Sequence, residues 1–445
     1  YIVDRSISSY IRIDKKDILP MLVDFKVKNF RSIKEEQLLS LVASSQKEFV
    51  DTHTFLPTTS KNLSLVKTAA IYGANAAGKS NILKALDAMQ DIVLESASKY
   101  QRGDRIPIKP FLFDNEVNEP TEFEINFIYE GIRYQYGFAT TSVRITEEWL
   151  IVYPKTRPQN WFARAYDEET KEYKWQFGDK LTGKKQLWQE STRGNALFLS
   201  TAVQLNSEQL QPVFDWFANK LKITSVNGWD PSFTMSKCLD EKYKKSILRF
   251  LKTADMDIED IEIEVGEFDP SNLPDDMPVE LKEKIAQDLK GKELIKGAKF
   301  YHLNHYGKKV ALDFDDESDG TQKLFAFIGP WIDSLENGNI LLIDELHDNF
   351  HPLMVKFLIE MFHNKDMNKS YAQLIFTTHE TSVLNQDTFR RDQIWFCEKR
   401  NRATNLYPLT DFSPRKGVED LEKGYLSGRY GALPFFQDIS MAMGK

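Results

Sequence analysis

Residues 73–80 read Gly-Ala-Asn-Ala-Ala-Gly-Lys-Ser, which matches the phosphate-loop pattern G-x-x-x-x-G-K-[ST] at every specified position. The apolar residues Leu65, Val66, Ala69, Ala70, Ile71 and Tyr72 precede the loop and predict a buried strand, and apolar residues recur at helical spacing from Ile82 to Val93. A strand, a glycine loop and a helix in this order aim backbone N–H groups and the positive helix end at a polyphosphate. The residues predicted to bind a nucleotide here are Gly73, Ala74, Asn75, Ala76, Ala77, Gly78, Lys79 and Ser80.

The pattern assigns three roles, one to the backbone of the two glycines and two to side chains. Gly73 and Gly78 permit a tight loop and close approach of the backbone. Lys79 is predicted to reach the terminal phosphates, and the Ser80 hydroxyl is predicted to ligate Mg²⁺.

Two later runs predict the other half of the same site. Residues 339–345 read Asn-Ile-Leu-Leu-Ile-Asp-Glu, the pattern of a buried parallel strand that delivers acids at its carboxyl end. Asp344 is predicted to hold Mg²⁺, and Glu345 to act as the general base for the attacking water. Residues 374–379, Leu-Ile-Phe-Thr-Thr-His, predict a second buried strand, from which His379 would donate a hydrogen bond to the γ-phosphate.

The composition excludes several classes of protein. The chain has 445 residues, of which 41% are hydrophobic and 28% charged, and these values are ordinary for a globular protein. No apolar run approaches the roughly 20 residues of a membrane span, and two cysteines argue against a disulfide scaffold, so a cytoplasmic location without membrane contact is expected. The net charge of −8 gives no overall footprint for nucleic-acid binding, although a local basic groove is compatible with it.

The chain is predicted to be an α/β protein, a P-loop core with an antiparallel β subdomain and a mainly helical insertion. Alternating residues between 120 and 180 predict the antiparallel meander, with Glu130-Gly131 as a hairpin turn. Helical patterns near 207–221, 240–254 and 278–290 predict the insertion. The expected divisions are a tag or N-terminal extension at 1–20, the first half of the core at 21–195, the insertion at 196–298, the second half at 299–410, and a tail at 411–445.

The order of motifs resembles an ABC-type ATPase head of the branch that includes SMC, RecF and overcoming-lysogenization nuclease ATPases. Residues 318–322, Ser-Asp-Gly-Thr-Gln, lie where that family has its signature loop, and 29–32, Asn-Phe-Arg-Ser, are similar to its N-terminal strand-end motif. The chain resembles most closely the stand-alone bacterial AAA ATPases of the RloA and AbiLi type from phage-defence and abortive-infection operons. This resemblance runs from Met21 to about Phe436 and includes 391–396 and 424–435.

The resemblance implies a nucleotide-dependent homodimer or higher homo-oligomer. One head would hold ATP and Mg²⁺, with Arg31 contacting the nucleotide from the same head. The signature of a second head, namely Ser318, Asp319, Gly320 and Gln322, would close over the γ-phosphate in trans. ATP hydrolysis would be slow and dependent on dimerisation. The simpler interpretation of the signature segment is an ordinary helix start, capped by Ser318 or Asp319 with Gln322 as a partner.

At the level of function, the resemblance implies a sensor or regulator of an anti-phage system that controls a separate effector, a nuclease, in response to a phage-encoded trigger. The alternative is a RecF- or SMC-like DNA-maintenance ATPase. Two further alternatives are a nucleotide-gated scaffold that barely hydrolyses ATP and a fused anticodon-nuclease ATPase, which would need a C-terminal catalytic domain. Separately, His302 and His305 are compatible with an HNH-type nuclease site, although no third, helical metal ligand is evident in the sequence. Two features depart from the ABC pattern: acids crowd the signature segment, and no Q-loop glutamine is assigned near Lys109.

Overall fold

The computed structural model describes residues 19–57, 63–113, 119–224, 229–269, 277–289, 291, 293–348, 350–415 and 417–434. The predicted tag or extension at 1–20 lies almost wholly outside these ranges, and so does the end of the tail from 435 onward. The chain divides into a larger unit, Asp14–Thr224 with Ser334–Lys445, and a smaller unit that takes in Ser225–Asp333.

The first part of the larger unit contains both strands and helices. In chain order its elements are β1 (Met21–Lys28), β2 (Gln37–Ser40), α1 (Val50–His53), β3 (Thr54–Phe55), β4 (Leu65–Val66), β5 (Thr68–Tyr72), α2 (Lys79–Glu95), β6 (Thr121–Tyr129), β7 (Ile132–Thr140), β8 (Ile145–Tyr153), β9 (Gln159–Asp167), β10 (Glu172–Phe177), α3 (Lys185–Ser191), α4 (Phe198–Gln204), α5 (Gln211–Asn219) and β11 (Leu221–Ile223).

The smaller unit follows, and the chain then returns to the larger one. The smaller unit contains α6 (Pro231–Cys238), α7 (Glu241–Thr253), β12 (Asp260–Glu267), α8 (Val279–Leu289), β13 (Glu293–Leu303), β14 (Lys309–Asp313) and the start of α9 (Asp319–Asn337). The larger unit resumes with β15 (Ile340–Ile343), α10 (Pro352–His363), β16 (Gln373–Thr377), β17 (Ile394–Arg400), β18 (Ala403–Pro408) and α11 (Leu421–Leu426).

A six-stranded sheet forms the core of the larger unit, in the order β11-β15-β16-β5-β17-β18. Its first five strands are parallel, and β18 pairs with β17 in the antiparallel direction. The side chains of β5, β15 and β16 are all buried, as expected for parallel strands covered on both faces. The strand predicted before the phosphate loop and the two strands predicted to end in functional residues are therefore present.

A second sheet of the larger unit is antiparallel, with seven strands in the order β10-β9-β8-β7-β6-β1-β2. Glu130 and Gly131 connect β6 to β7 with φ angles of 50° and 73°, the two left-handed residues of a type I′ hairpin turn. Together the two sheets confirm the predicted fold class, a P-loop core with an antiparallel β subdomain.

Helix α2 is amphipathic and turns one face to the hydrophobic core. Ile82, Leu86, Met89 and Val93 recur at helical spacing, and each is at most 1% exposed. They belong to one cluster that also includes the inward-facing residues of β1, β6 and β7. The helix that follows the phosphate loop is thereby fixed against both sheets of the larger unit.

A buried ion pair joins two strands of the antiparallel sheet. Glu148 on β8 and Arg164 on β9 have completely buried side chains, and the Arg164 Nη2 lies 2.9 Å from the Glu148 Oε2. The carboxylate also accepts hydrogen bonds from the backbone N–H groups of Phe198 and Leu199, at the start of α4. These donors offset part of the cost of burying the charges.

The smaller unit contains a three-stranded antiparallel sheet, in the order β12-β13-β14, together with its helices. It differs from the predicted insertion at 196–298 in two respects. Its first residue is Ser225, because α4, α5 and β11 belong to the larger unit, where β11 pairs with β15. It also continues to Asp333, because β13 spans residue 298 and pairs with both β12 and β14.

Candidate active site

Four strand ends bring the predicted site residues together at one edge of the six-stranded sheet. The parallel registers place the carboxyl ends of β15, β16, β5 and β17 side by side. A cavity of about 500 Å³ lies at this edge. It is lined by Ser32, Asn75, Ala76, Gly78, Lys79, Ser80, Asn81, Glu345, His379 and Lys399.

The phosphate loop packs against β18 and the segment after β1. Gly78 has a φ of 106°, and a Cβ at this position would overlap the Thr404 hydroxyl and lie 2.9 Å from the Ser32 Oγ. Thr404 Oγ1 donates a hydrogen bond of 2.9 Å to the carbonyl of Ala77. The hydroxyls of Thr404 and Ser32 are 2.7 Å apart, and the Asn81 amide donates to Ser32 Oγ over 2.6 Å. Glycine is therefore required at 78 both for its backbone angle and for space.

The Lys79 ammonium lies where its predicted role needs it. It donates to the carbonyl oxygens of Gly73 and Ala74 over 3.0 and 3.2 Å. It also lies 3.0 Å from the His379 Nε2, which must accept this hydrogen bond because an ammonium group has no lone pair. Burial lowers the pKa of Lys79, while the nearby charges of Glu345 and Asp344 act in the opposite direction. A phosphate would supply the negative charge that these neutral acceptors lack.

Ser80 and Asp344 meet, as the metal-site prediction requires. Ser80 Oγ donates to Asp344 Oδ1 over 3.0 Å. Thr377 Oγ1 donates to the same carboxylate oxygen over 2.7 Å and accepts from the backbone N–H of Glu345 over 2.8 Å. Thr377 therefore positions both acids, a role that the sequence reasoning missed because it considered only the last residue of the 374–379 run.

Glu345 and His379 face each other across the cavity. The Glu345 Oε1 is 3.7 Å from the His379 Nε2, and the two side chains are 43% and 29% exposed, so water reaches both. Glu345 has a φ of 54°, in the left-handed region that non-glycine residues rarely adopt. Burial, and secondly the Lys79 charge, lower the pKa of His379. Both effects favour the neutral form of the His379 imidazole.

His347 is a further residue near the site that the sequence reasoning missed. Its Nδ1 lies 3.2 Å from the Thr378 Oγ1 and 3.4 Å from the backbone nitrogen of His379. Its ring is nearly perpendicular to that of His379, with centroids 5.4 Å apart. These contacts support the loop that carries His379. Lys399 was also missed, since no motif marks a lysine near the end of β17.

Arg31 is exposed at the end of β1, and its nucleotide contact stays a prediction. Its guanidinium carbon lies 5.5 Å from the ring of Phe30, while the next residue, Ser32, lines the cavity. The backbone N–H of Arg31 donates to the carbonyl of Lys109 over 2.8 Å. The 29–32 motif and the segment considered for the Q-loop are therefore adjacent.

The signature residues lie in the smaller unit, at the start of α9. Ser318 Oγ accepts a hydrogen bond from the backbone N–H of Thr321 over 3.2 Å, which is an N-cap. The Gln322 side chain donates to the carbonyl oxygens of Asp315 and Glu317. Ser318 and Asp319 are exposed. These hydrogen bonds fit the interpretation of the segment as a helix start. The contact with a second copy stays a prediction.

The acidic side chains around the signature segment differ in their surroundings. Glu317 lies 2.6 Å from the His302 Nε2, whose other ring nitrogen is 2.6 Å from the carbonyl of Asp257. Asp313, Asp315 and Asp316 are exposed. His302 is thus engaged in local hydrogen bonds, and within the described ranges no group of three or more His, Cys, Asp or Glu side chains could hold a metal ion.

The donor set of the cavity fits a magnesium–nucleotide complex. A hydroxyl and a carboxylate, from Ser80 and Asp344, are hard oxygen ligands of the kind that Mg²⁺ uses beside phosphates. Lys79 is 5% exposed and holds a positive charge between neutral carbonyl groups. Both features suit a polyanion with its counter-ion.

A family comparison matches residues 69–385 to the family described as "AAA domain, putative AbiEii toxin, Type IV TA system". The match includes the phosphate loop, the signature segment, Asp344, Glu345 and His379. No curated protein matches the chain.

Several solved structures are similar at low identity. One is an SMC head bound to the C-winged helix domain of ScpA, with 14% identity, a TM-score of 0.40, and coverage of 87% of this chain and 96% of that one. Another is the SMC head domain from Thermotoga maritima, with 12% identity, a TM-score of 0.38, and coverage of 87% and 98%. The recombination mediator RecF with ATP has 14% identity, a TM-score of 0.33, and coverage of 82% and 95%. Identities and TM-scores this low assign no function to the chain.

In the part of the chain that the structure describes, none of the helices has the length and apolar character needed to span a bilayer.

Proposed function

Because the chain belongs to this AAA-domain family of the AbiEii type, we propose that it binds ATP with Mg²⁺ at the cavity described above and hydrolyses it slowly. The observation that carries the proposal is the convergence of Lys79, Ser80, Asp344, Glu345 and His379 at one sheet edge. They come from three separate parts of the sequence and supply a cation, two metal ligands, a base and a neutral donor.

In the proposed reaction, the triphosphate takes the place of the carbonyl groups around Lys79. The Lys79 ammonium then contacts phosphate oxygens, and the N–H groups at the start of α2 face the same anion. Mg²⁺ would be held at Ser80 and Asp344, where its charge offsets that of the phosphates.

Glu345 is the group proposed to accept a proton from the attacking water. The water oxygen forms the new bond to the γ-phosphorus, the bond from that phosphorus to the bridging oxygen breaks, and ADP leaves with the electron pair. In its neutral form, which burial favours, His379 can donate a hydrogen bond to a γ-phosphate oxygen without presenting a second cation beside Lys79. In this structure the His379 Nε2 accepts a hydrogen bond from Lys79, so this contact must break before Nε2 can donate to a phosphate oxygen. Nucleotide binding would therefore rearrange the Lys79–His379 pair.

A glutamate substitution tests this assignment. Glu345→Gln keeps the size of the side chain but removes its basicity, so we expect the turnover number for ATP to fall about 10²- to 10⁴-fold while ATP binding is retained. Glu360→Gln is the matched control, because Glu360 is an exposed residue of α10 whose carboxylate, among the described residues, is paired with Lys356 one turn away. Turnover of Glu345→Gln equal to that of the control would remove the proposed base.

We also propose that ATP joins two copies of the chain, with the signature of one over the γ-phosphate of the other. The support is the exposure of Ser318 and Asp319 at the N-terminus of α9, where the helix dipole favours an anion. Sedimentation of Glu345→Gln with and without ATP measures this directly. A dimer that forms only with ATP is the expected result, and a monomer at every ATP concentration would contradict it.

At the biological level, we propose a regulatory ATPase of a phage-defence system that controls a separate effector, a nuclease, and responds to a phage-encoded trigger. The family description, which refers to an abortive-infection toxin, supports this class of system. Co-purification of the products of the native operon, with and without ATP, tests it, and an effector retained in one of the two conditions is expected. ATP-dependent, strongly salt-sensitive binding of duplex DNA without such an effector would favour the DNA-maintenance alternative instead.

A further inference from the structure

The larger unit has a second cavity, of about 610 Å³, whose lining residues have no role in the proposed ATPase reaction. Its lining includes Lys67, Lys365, Lys369, Asp51, Phe55 and Tyr371. We call it the Lys67 cavity. Lys67 directly precedes β5, and the phosphate loop directly follows that strand. Five strand residues separate the two sites by roughly 17 Å, at opposite edges of the sheet.

Lys67 carries the central observation. Its side chain is buried, with 2% of the residue exposed, and it lines the cavity. Among the described residues its ammonium has no hydrogen-bond acceptor and no carboxylate within ion-pair distance. Burial, and secondly the charge of Lys365, lower the pKa of Lys67 to about 8. Burial therefore disfavours the charged form of Lys67, and a bound anion would offset that cost.

The remaining lining defines what kind of anion fits. Lys365 and Lys369 are exposed residues of the segment between α10 and β16, and Asp51 is exposed on α1. Three lysines and one aspartate leave a formal charge of +2, which matches a phosphomonoester dianion better than a single carboxylate.

The walls of the cavity are largely apolar. The rings of Phe55 and Tyr371 stack, with centroids 5.2 Å apart and planes 22° apart. The volume lies in the range of small-molecule sites, which combine apolar walls with a few polar groups that orient the ligand.

We propose that the Lys67 cavity binds a small phosphomonoester with an aromatic or apolar body, with its phosphate on Lys67 and its body against Phe55 and Tyr371. Lysine binds phosphate as a point charge, and Lys365 and Lys369 add to the attraction at the mouth of the cavity. Such a ligand could be a free mononucleotide or another aromatic phosphate, since both present the same two chemical features.

The test uses the full chain and three probes: phenyl phosphate, AMP and inorganic phosphate. Binding is measured by calorimetry, and occupancy of the cavity by the protection of Lys67 from acylation, read by mass spectrometry against Lys399 of the nucleotide cavity. We expect phenyl phosphate to protect Lys67 but not Lys399, and to bind at least tenfold more tightly than inorganic phosphate. AMP that protects Lys67 in the Lys79→Ala variant would identify a nucleotide as the source, and AMP that fails while phenyl phosphate succeeds would identify another aromatic phosphate.

Two variants separate this proposal from the ATPase assignment. Lys67→Met keeps the length of the side chain and removes a buried charge, so we expect phenyl phosphate binding to fall at least tenfold while ATP binding persists. Lys79→Ala is expected to show the opposite pattern. Unprotected Lys67 in the wild-type protein, or equal phenyl phosphate affinity in Lys67→Met, would overturn the proposal. Protection in the wild-type chain decides the question even if Lys67→Met fails to fold.

Discussion

The hydroxyl of Thr404 supports the phosphate loop from a strand 327 residues away in sequence, and its removal is a sharp test of how the loop is held. In Thr404→Val the shape is kept, but the 2.9 Å hydrogen bond to the Ala77 carbonyl and the 2.7 Å contact with Ser32 are lost. The Ala77 carbonyl would retain only the Cys397 thiol, a weak donor at 3.5 Å.

The size of the effect follows from this geometry. Thr404 is 1% exposed, so water cannot replace the lost donor without rearrangement. A buried carbonyl left without its partner costs about 1–3 kcal/mol. If this cost falls on the nucleotide-binding conformation of the loop, the dissociation constant for ATP rises roughly 5- to 150-fold.

Equilibrium titration of ATP with Mg²⁺ into wild type, Thr404→Val and Thr404→Ser measures this effect. Serine keeps the hydroxyl, so Thr404→Ser should bind ATP within a few-fold of wild type. Thr404→Val with wild-type affinity would refute the claim that this contact holds the loop. A loss in Thr404→Ser as large as that in Thr404→Val would refute it as well, because serine keeps the hydroxyl.

Three further predictions concern the metal site, the buried ion pair and the pH dependence of stability. Asp344→Asn removes the charge that accepts from Ser80, so the Mg²⁺ concentration for half-maximal ATP hydrolysis should rise at least tenfold, and an unchanged value would contradict the metal assignment. Glu148→Gln leaves the buried Arg164 without its counter-charge and should lower the free energy of unfolding by about 3–5 kcal/mol in urea denaturation; a loss below about 1 kcal/mol would show that the pair contributes little. Burial lowers the pKa of His53 from its ordinary value of about 6.5 to about 4, so between these pH values the unfolded chain binds more protons than the folded chain. Stability is therefore lost as the pH falls from about 6.5 to about 4, by up to about 3 kcal/mol. His53→Gln should flatten this loss in denaturation curves recorded between these pH values, and an unchanged slope would contradict it.

Local patterns in the sequence were sufficient to predict the central parts of the fold. The strand before the phosphate loop, the strand just before Asp344 and the strand that ends at Thr377, near His379, are all short buried runs, and such runs are typical of parallel strands. The alternation at 121–140 and its two-residue turn likewise specified the hairpin of β6 and β7.

The smaller unit shows where local patterns were misjudged. Strand β12, Asp260–Glu267, alternates charged and apolar residues, but the helical patterns on either side led residues 196–298 to be interpreted as a mainly helical insertion. The boundary at residue 196 was placed too early relative to the structural division at Ser225, because α4 and α5 pack on α2 and no local signal reveals that contact.

Contacts between distant segments were beyond the sequence reasoning. Ser32, Thr377 and Thr404 support the site through hydrogen bonds to segments far away in the chain. Ser32 and Thr377 lie in stretches that the sequence analysis singled out, but no local pattern reveals these contacts. The burial of Lys67 is of the same kind, since a lysine before a strand is ordinarily expected at the surface.

The central claim is that a complete active site contains the phosphate loop of one copy and the signature of another. It is tested most directly by mixing Lys79→Ala with Ser318→Arg, two variants expected to be inactive alone. If sites are shared in trans, the mixture should recover about a quarter of the wild-type ATPase rate, because half of the randomly assorted dimers are mixed and each has one intact site. No recovery in a mixture shown to contain mixed dimers would contradict the account.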